Sequence, residues 1–164
     1  MTPSAPNIHG TLVALDDKGV LITGPSGSGK TELALALLSH WRAQRRFARL
    51  VCDDQVLLAG HGGRLVGRAP ASIAGLAEAR SYGIAAVAHE PAAVIDLVID
   101  LVDANEVARM AEPAAIVLAG TSLPLLRQPC RDTATALITV AAALGAPPFS
   151  EAGNWPFGRG SVAD

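Results

Sequence analysis

The sequence predicts an α/β domain: a phosphate-loop fold on a mixed β-sheet, with an N-terminal hairpin leading into the Walker A loop. Three observations carry this. Short apolar runs bounded by turn residues alternate with two longer stretches of helix formers. The segment Gly24-Pro25-Ser26-Gly27-Ser28-Gly29-Lys30-Thr31 stands between one such run and the first helical stretch. Neighbouring runs joined by tight turns imply more antiparallel pairing than a purely parallel sheet contains. The 164 residues and 16.8 kDa suffice for one domain. We expect it to span residues 9–147, between an N-terminal tail (1–8) and a flexible, Gly- and Pro-rich C-terminal tail (148–164).

Each element follows from local pattern. TLVAL (11–15), the turn residues DDKG and VLIT (20–23) read as a β-hairpin. From Thr31, ELALALLSHW contains helix formers without a breaker, and WRAQRRFAR after it reads as a solvated, arginine-rich helix end. RLVC (49–52) is a strand running into Asp53 and Asp54, and VLLAG, HGG and RLVG form a second hairpin that Pro70 ends. Residues 71–80, ASIAGLAEAR, read as a weak helix interrupted by Gly75. IAAVA (84–88), AVIDLVIDLV (93–102) and AIVLAG (115–120) are strands, and TATALITVAAALG (133–145) is a helix closed by Gly145.

Composition narrows the function. A net charge of −2 supplies no electrostatic footprint for nucleic acid or anionic lipid. Aspartates 96, 100 and 103 interrupt the most apolar run well short of membrane-spanning length. We therefore expect a cytoplasmic protein with no nucleic-acid or membrane partner. Charged residues make up only 17% of the chain, which suggests that part of its surface is covered in a homo-oligomer. Cys52 and Cys130 are expected as free thiols.

The glycine loop matches G-x-x-x-x-G-K-[ST] at every fixed position. Its glycines let backbone N–H groups close around a phosphate, and the following helix N-terminus adds positive potential there. Lys30 reaches the outer phosphates of a nucleotide, and the Thr31 hydroxyl is placed to hold Mg²⁺. Pairing of the first hairpin sets His9 and Gly10 beside Thr23 and Gly24, at the mouth of the loop. A histidine there can donate to phosphate or act on a neighbouring carboxylate; a solvated turn histidine is the competing reading. On an extended strand end, Asp53 and Asp54 point to opposite sides, one toward metal and phosphates and the other toward an acceptor hydroxyl. Glu78 and Arg80 have the spacing of a solvated helix end.

Taken together, His-Gly at 9–10, GPSGSGKTE at 24–32, LVCDD at 50–54 and LVGRAPASIAGLAEARSYGI at 65–84 resemble the HPr kinase/phosphorylase family, in a short form limited to its catalytic domain. LRQPCRD at 126–132 is similar to a worn copy of the family's Pro-Gly-Arg-Asn segment. The resemblance implies a PEP carboxykinase-like P-loop kinase domain. It implies that ATP and Mg²⁺ are used to phosphorylate a serine of the phosphocarrier HPr, or an HPr-like carrier, of the bacterial phosphotransferase system. Phosphate-dependent dephosphorylation would release pyrophosphate. By position it makes His9, Lys30, Asp54 and Arg109 catalytic, with Asp54 the proton acceptor. Gly24 through Thr31 would bind nucleotide, and Thr31 and Glu78 would bind magnesium, with Asp53 the metal-side acid of the pair. A hexamer is implied. Pro25 replaces a usual Asp, Ser81 replaces a glycine, and the segment around Arg131 is altered. Competing functions are a nucleotide-sensing module without phosphoryl transfer and a small-molecule P-loop kinase.

Overall fold

The computed structural model describes residues 6–149. Eleven strands and two α-helices follow in order: β1 (Asn7–His9), β2 (Thr11–Leu15), β3 (Lys18–Thr23), α1 (Lys30–Ala43), β4 (Ala48–Cys52), β5 (Gln55–His61), β6 (Arg64–Arg68), β7 (Leu76–Ala79), β8 (Gly83–Ala86), β9 (Ala92–Val102), β10 (Ala115–Leu118), β11 (Thr121–Pro129) and α2 (Thr133–Ala143). The large sheet runs β1-β5-β6-β9-β3-β2-β4, with β11 beside β9 and β10 beside β11. It is mixed, as expected. β9 is antiparallel to β6 through Ala92–Val94, then parallel to both β3 and β11. A separate two-stranded sheet pairs β7 with β8.

Period-two alternation divides the core. Val13, Leu15, Val20, Ile22, Leu97 and Ile99 face the helices, while Leu12, Ala14, Leu21 and Val98 face Val56, Leu58 and Leu65 of the curled part of the sheet. On the helical side α1 contributes Leu33, Leu37 and the wholly buried Trp41. The Trp41 indole N–H donates to Asp16 Oδ2 at 3.0 Å, and Arg46 Nε donates to the same oxygen at 3.0 Å. One member of the arginine-rich helix end is thus tied to the first hairpin. α2 begins at Asp132, whose carboxylate accepts from the Thr135 N–H at 3.1 Å. The Thr135 hydroxyl bond and this backbone bond hold the Asp132 carboxyl below its usual range. Gly145, at φ +62°, ends the helix.

Three expectations need correction. Residues 71–80 are a single 3-10 turn (Ala71–Ile73) followed by β7, not a helix. Gly75 adopts φ +72°, and a Cβ there would stand 2.5 Å from the His89 imidazole, so the chain turns where a helix would continue. Asn7 and Ile8, expected in a tail, pair with Leu57 and Val56. Thr121–Pro129, assigned to no element from sequence, forms β11 through parallel pairing with β9. The assignment of 148–164 to a tail falls almost wholly outside the described residues. Cys52 and Cys130 are free thiols. Among the described residues no helix is long and apolar enough to cross a membrane.

Candidate active site

The phosphate loop leaves the end of β3, where the Thr23 hydroxyl donates to Asp100 Oδ1 at 3.0 Å. Gly24 follows at φ +148°, and a Cβ on it would stand 2.8 Å from Ser28 Oγ and 3.0 Å from Leu101. Only glycine lets the loop close this tightly. Lys30 opens α1 and is buried, its ammonium donating to the carbonyls of Gly24 at 2.9 Å and Pro25 at 3.0 Å. Burial lowers its pKa, while the carboxylates of Asp54 and Asp53 and the Cys130 thiol act in the opposite direction. Ser28 Oγ is buried and has no hydrogen-bond partner. An orphaned hydroxyl and a lysine folded onto its own loop are what a phosphate-binding turn presents to an incoming anion.

Asp53, at the end of β4, joins three elements. Its Oδ1 accepts from the Thr11 hydroxyl on β2 at 2.9 Å, the Thr31 hydroxyl on α1 at 2.8 Å and the Asp54 N–H at 3.1 Å. Its Oδ2 accepts from the Glu78 N–H on β7 at 3.2 Å. The expected divergence of the two acids does not occur. Asp54 takes φ +70°, outside extended backbone, and both carboxylates line one cleft. The cleft has a volume of about 320 Å³ and is walled by the loop, the acids and the β7–β8 turn.

His9 reaches the cleft by a route other than hairpin pairing alone. Gly10 does lie against Ile22 and Thr23, but β1 then leaves β2's neighbour and pairs with β5, opposing His9 to Gln55. Gly10 N–H donates to the Asp54 carbonyl at 3.0 Å, and His9 Nδ1 stands 3.1 Å from Asp54 Oδ1. The His9 and Asp54 side chains remain 48% and 67% exposed, so the pair faces whatever enters the cleft.

The structure therefore brings together His9, Ser26, Gly27, Gly29, Lys30, Thr31, Asp53, Asp54 and Glu78 in the cleft wall. Gly24, Pro25 and Ser28, also expected to bind nucleotide, are not among the lining residues. Arg109 is not among the lining residues; it is exposed in the irregular segment after β9, which has no periodic pattern to fix its place. Instead Arg80 and Glu32 line the cleft, joined at 3.3 Å. The signal for Glu32 was its place directly after the lysine and threonine of the loop. Arg131 also touches the loop, its Nε donating to the Gly27 carbonyl at 3.0 Å and its backbone N–H to that of Ser28 at 2.9 Å. It stands at φ +59° just before the Asp132 cap.

The donor set Thr31, Asp53 and Glu78 consists of hard oxygens suited to Mg²⁺. No cluster of three or more His, Cys, Asp or Glu forms a metal cage among the described residues. A site of one or two carboxylates completed by nucleotide phosphates and water is the usual arrangement for this ion.

Comparison with known proteins bears on the family and the fold. The profile of the HPr Serine kinase C-terminal domain matches residues 2–144. The HPr kinase/phosphorylase of Clostridium beijerinckii is 44% identical over 77 residues, which cover 47% of this chain and 24% of the relative. That of Halalkalibacterium halodurans is 49% identical over 78 residues, covering 47% of this chain and 23% of the relative. The aligned region thus spans about a quarter of these relatives. The solved structure of the Hpr(Ser) kinase/phosphatase from Coxiella burnetii superposes with a TM-score of 0.69 at 24% identity, covering 82% of this chain and 86% of that one, which supports the fold. The α/β P-loop architecture and the sequence match lead to one assignment: the chain belongs to the HPr serine kinase C-terminal domain family.

Proposed function

We propose that this chain is the catalytic domain of an ATP-dependent protein serine kinase acting on a phosphocarrier, HPr or an HPr-like protein. The observation that carries this reading is the His9–Asp54 pair, 3.1 Å apart and solvent-facing, in one cleft with Lys30 and the Asp53–Thr31 bond. Asp54 takes the proton of a serine hydroxyl as its oxygen bonds to the terminal phosphorus and the bond to the departing ADP oxygen breaks. His9 fixes the orientation of the Asp54 carboxylate. Lys30 exchanges its loop carbonyls for phosphate oxygens, and the loop N–H groups with Ser28 Oγ complete the cradle. Thr31 and Glu78 would hold Mg²⁺ against Asp53; when bound, the ion neutralises charge on the phosphates. The openness of the cleft at Asp54 suits a protein acceptor better than an enclosed metabolite.

In the reverse direction the same carboxyl returns its proton to the departing serine while inorganic phosphate attacks, releasing pyrophosphate. The contacts of Arg131 with the phosphate loop favour retention of this second activity despite the altered surrounding segment. A homo-oligomer, a hexamer by family resemblance, and a cytoplasmic location belong to the same reading. The test is transfer of labelled phosphate from ATP to a purified phosphocarrier. Label on the carrier's serine is expected; label on a small metabolite, or nucleotide binding without transfer, would replace this function with one of the competing two.

A further inference from the structure

The cleft-lining residues include one lysine, Lys30, and one arginine, Arg80, set against Glu32, Asp53, Asp54 and Glu78. Lys30 is satisfied by loop carbonyls, and Arg80 Nε lies 3.3 Å from Glu32 Oε1. The other oxygen of Glu32, Oε2, stands 3.6 Å from the point a Cβ on Gly29 would occupy. The Glu32 carboxylate, in the first turn of α1 where anions are favoured, therefore holds Arg80 at the start of the β7–β8 turn close to the helix that follows the phosphate loop.

We propose that Glu32 is a stand-in for the terminal phosphate of a nucleoside triphosphate, and that Arg80 passes from Glu32 to that phosphate when the nucleotide enters. The inference rests on the kinase reading and adds two residues to it. Arg80 becomes a catalytic residue, contacting the transferring group, and Glu32 a positioning residue that holds the guanidinium beside the loop beforehand. Three features support the exchange. The Arg80 side chain is 70% exposed, and an ion pair in that setting contributes little, so releasing it is easy. A guanidinium fork matches two phosphate oxygens better than it matches one carboxylate oxygen through Nε. Arg80 is two residues from Glu78, whose N–H is bonded to Asp53, so the turn is anchored at its base beside the metal-side acid.

The experiment is calorimetric titration of the full chain with ADP and with β,γ-imido-ATP, both with Mg²⁺. Arg80→Ala should weaken the triphosphate analogue about 10- to 100-fold, the worth of a lost charged hydrogen bond, and leave ADP within about twofold. Arg80→Lys, which keeps charge without the fork, should recover part of that loss. Glu32→Gln should tighten the analogue a few-fold, and the gain should vanish in the Glu32→Gln/Arg80→Ala double variant. Equal losses for both nucleotides would reduce Arg80 to a structural role and overturn the proposal, as would no loss, or a Glu32→Gln gain that persists without Arg80. Wild-type protein that binds neither nucleotide would overturn the kinase reading itself and this inference with it.

Discussion

Replacing Asp53 by Asn is the sharpest test of how the cleft is assembled, because one carboxylate receives hydrogen bonds from β2, α1, β7 and its own neighbour. Asn has the same shape but only one acceptor oxygen. Its best orientation turns that oxygen to Thr11, Thr31 and the Asp54 N–H, and sets its NH2 against the Glu78 N–H, donor to donor. An amide left without a partner costs about 1–3 kcal/mol, and each remaining bond falls from charge-assisted strength by about 1 kcal/mol. Relief from burying a carboxylate offsets part of this, since Asp53 is only 8% exposed. The net expectation is a loss of about 2–4 kcal/mol, or about 4–16 °C in Tm for a domain of this size. Urea unfolding measures the loss, and amide hydrogen exchange locates it. The Glu78 amide should exchange far faster in the variant, because β7–β8 is fastened to the acids by that bond. A destabilisation under about 0.5 kcal/mol with Glu78 still protected would refute the view of Asp53 as a hub.

Four other outcomes follow from the same geometry. Asp54→Asn should reduce serine phosphorylation about 100-fold or more while ATP affinity holds, measured by transfer kinetics and calorimetry; a normal rate would remove Asp54 from the proton-accepting role. Ser81→Gly should stabilise the fold by up to about 1 kcal/mol in urea titration, since Ser81 stands at φ +64°, a region that strains a side-chain-bearing residue. Asp96 has its pKa raised by burial, with the Gly19 N–H bond opposing. For a carboxyl so raised, the stabilisation is present below the unfolded value and is lost as pH climbs through the folded one. Asp96→Asn, which keeps an acceptor for Gly19, should therefore exceed wild-type stability at neutral pH, and the difference should shrink below about pH 4. Burial pushes the Cys52 thiol up to about 12, leaving about one molecule in ten thousand as thiolate at pH 8. A thiol reagent should then titrate Cys130 alone in native protein and both cysteines in denaturant.

The parts legible in the sequence are those that short-range chemistry decides. Two short apolar runs joined by a tight turn carry their own hairpin signal, and the spacing of the glycine loop is its own mechanism, so the first hairpin, the loop, α1, β9 and α2 stand where the residues imply. Of the β7–β8 pair, β8 was legible in IAAVA, but β7 escaped because its alanines favour helix, while long-range contacts decide otherwise. Ala77 is buried in the cluster that includes α1, and Gly75 gives way to His89. Propensity is a weak prior once such contacts exist.

The site itself turns on a smaller matter that no pattern announces. Two adjacent acids on extended backbone would face opposite ways, one into the loop and one toward β5. At Asp54 the backbone instead enters the left-handed region, and its carbonyl accepts from the Gly10 N–H at 3.0 Å while its carboxylate lies beside His9. An aspartate tolerates this conformation better than most residues. The cost is local, and the result is that both acids line the cleft of the phosphate loop. Arg109 shows the converse. A role transferred by position along an irregular segment has neither a strand register nor a helix face to hold it, whereas Arg80 is delivered by a turn whose strand is hydrogen-bonded to Asp53. The cleft residues fastened to the Asp53 carboxylate are Thr11, Thr31 and Glu78, and under the proposed kinase reading a search for the charge that steadies a transferring phosphoryl group begins from them.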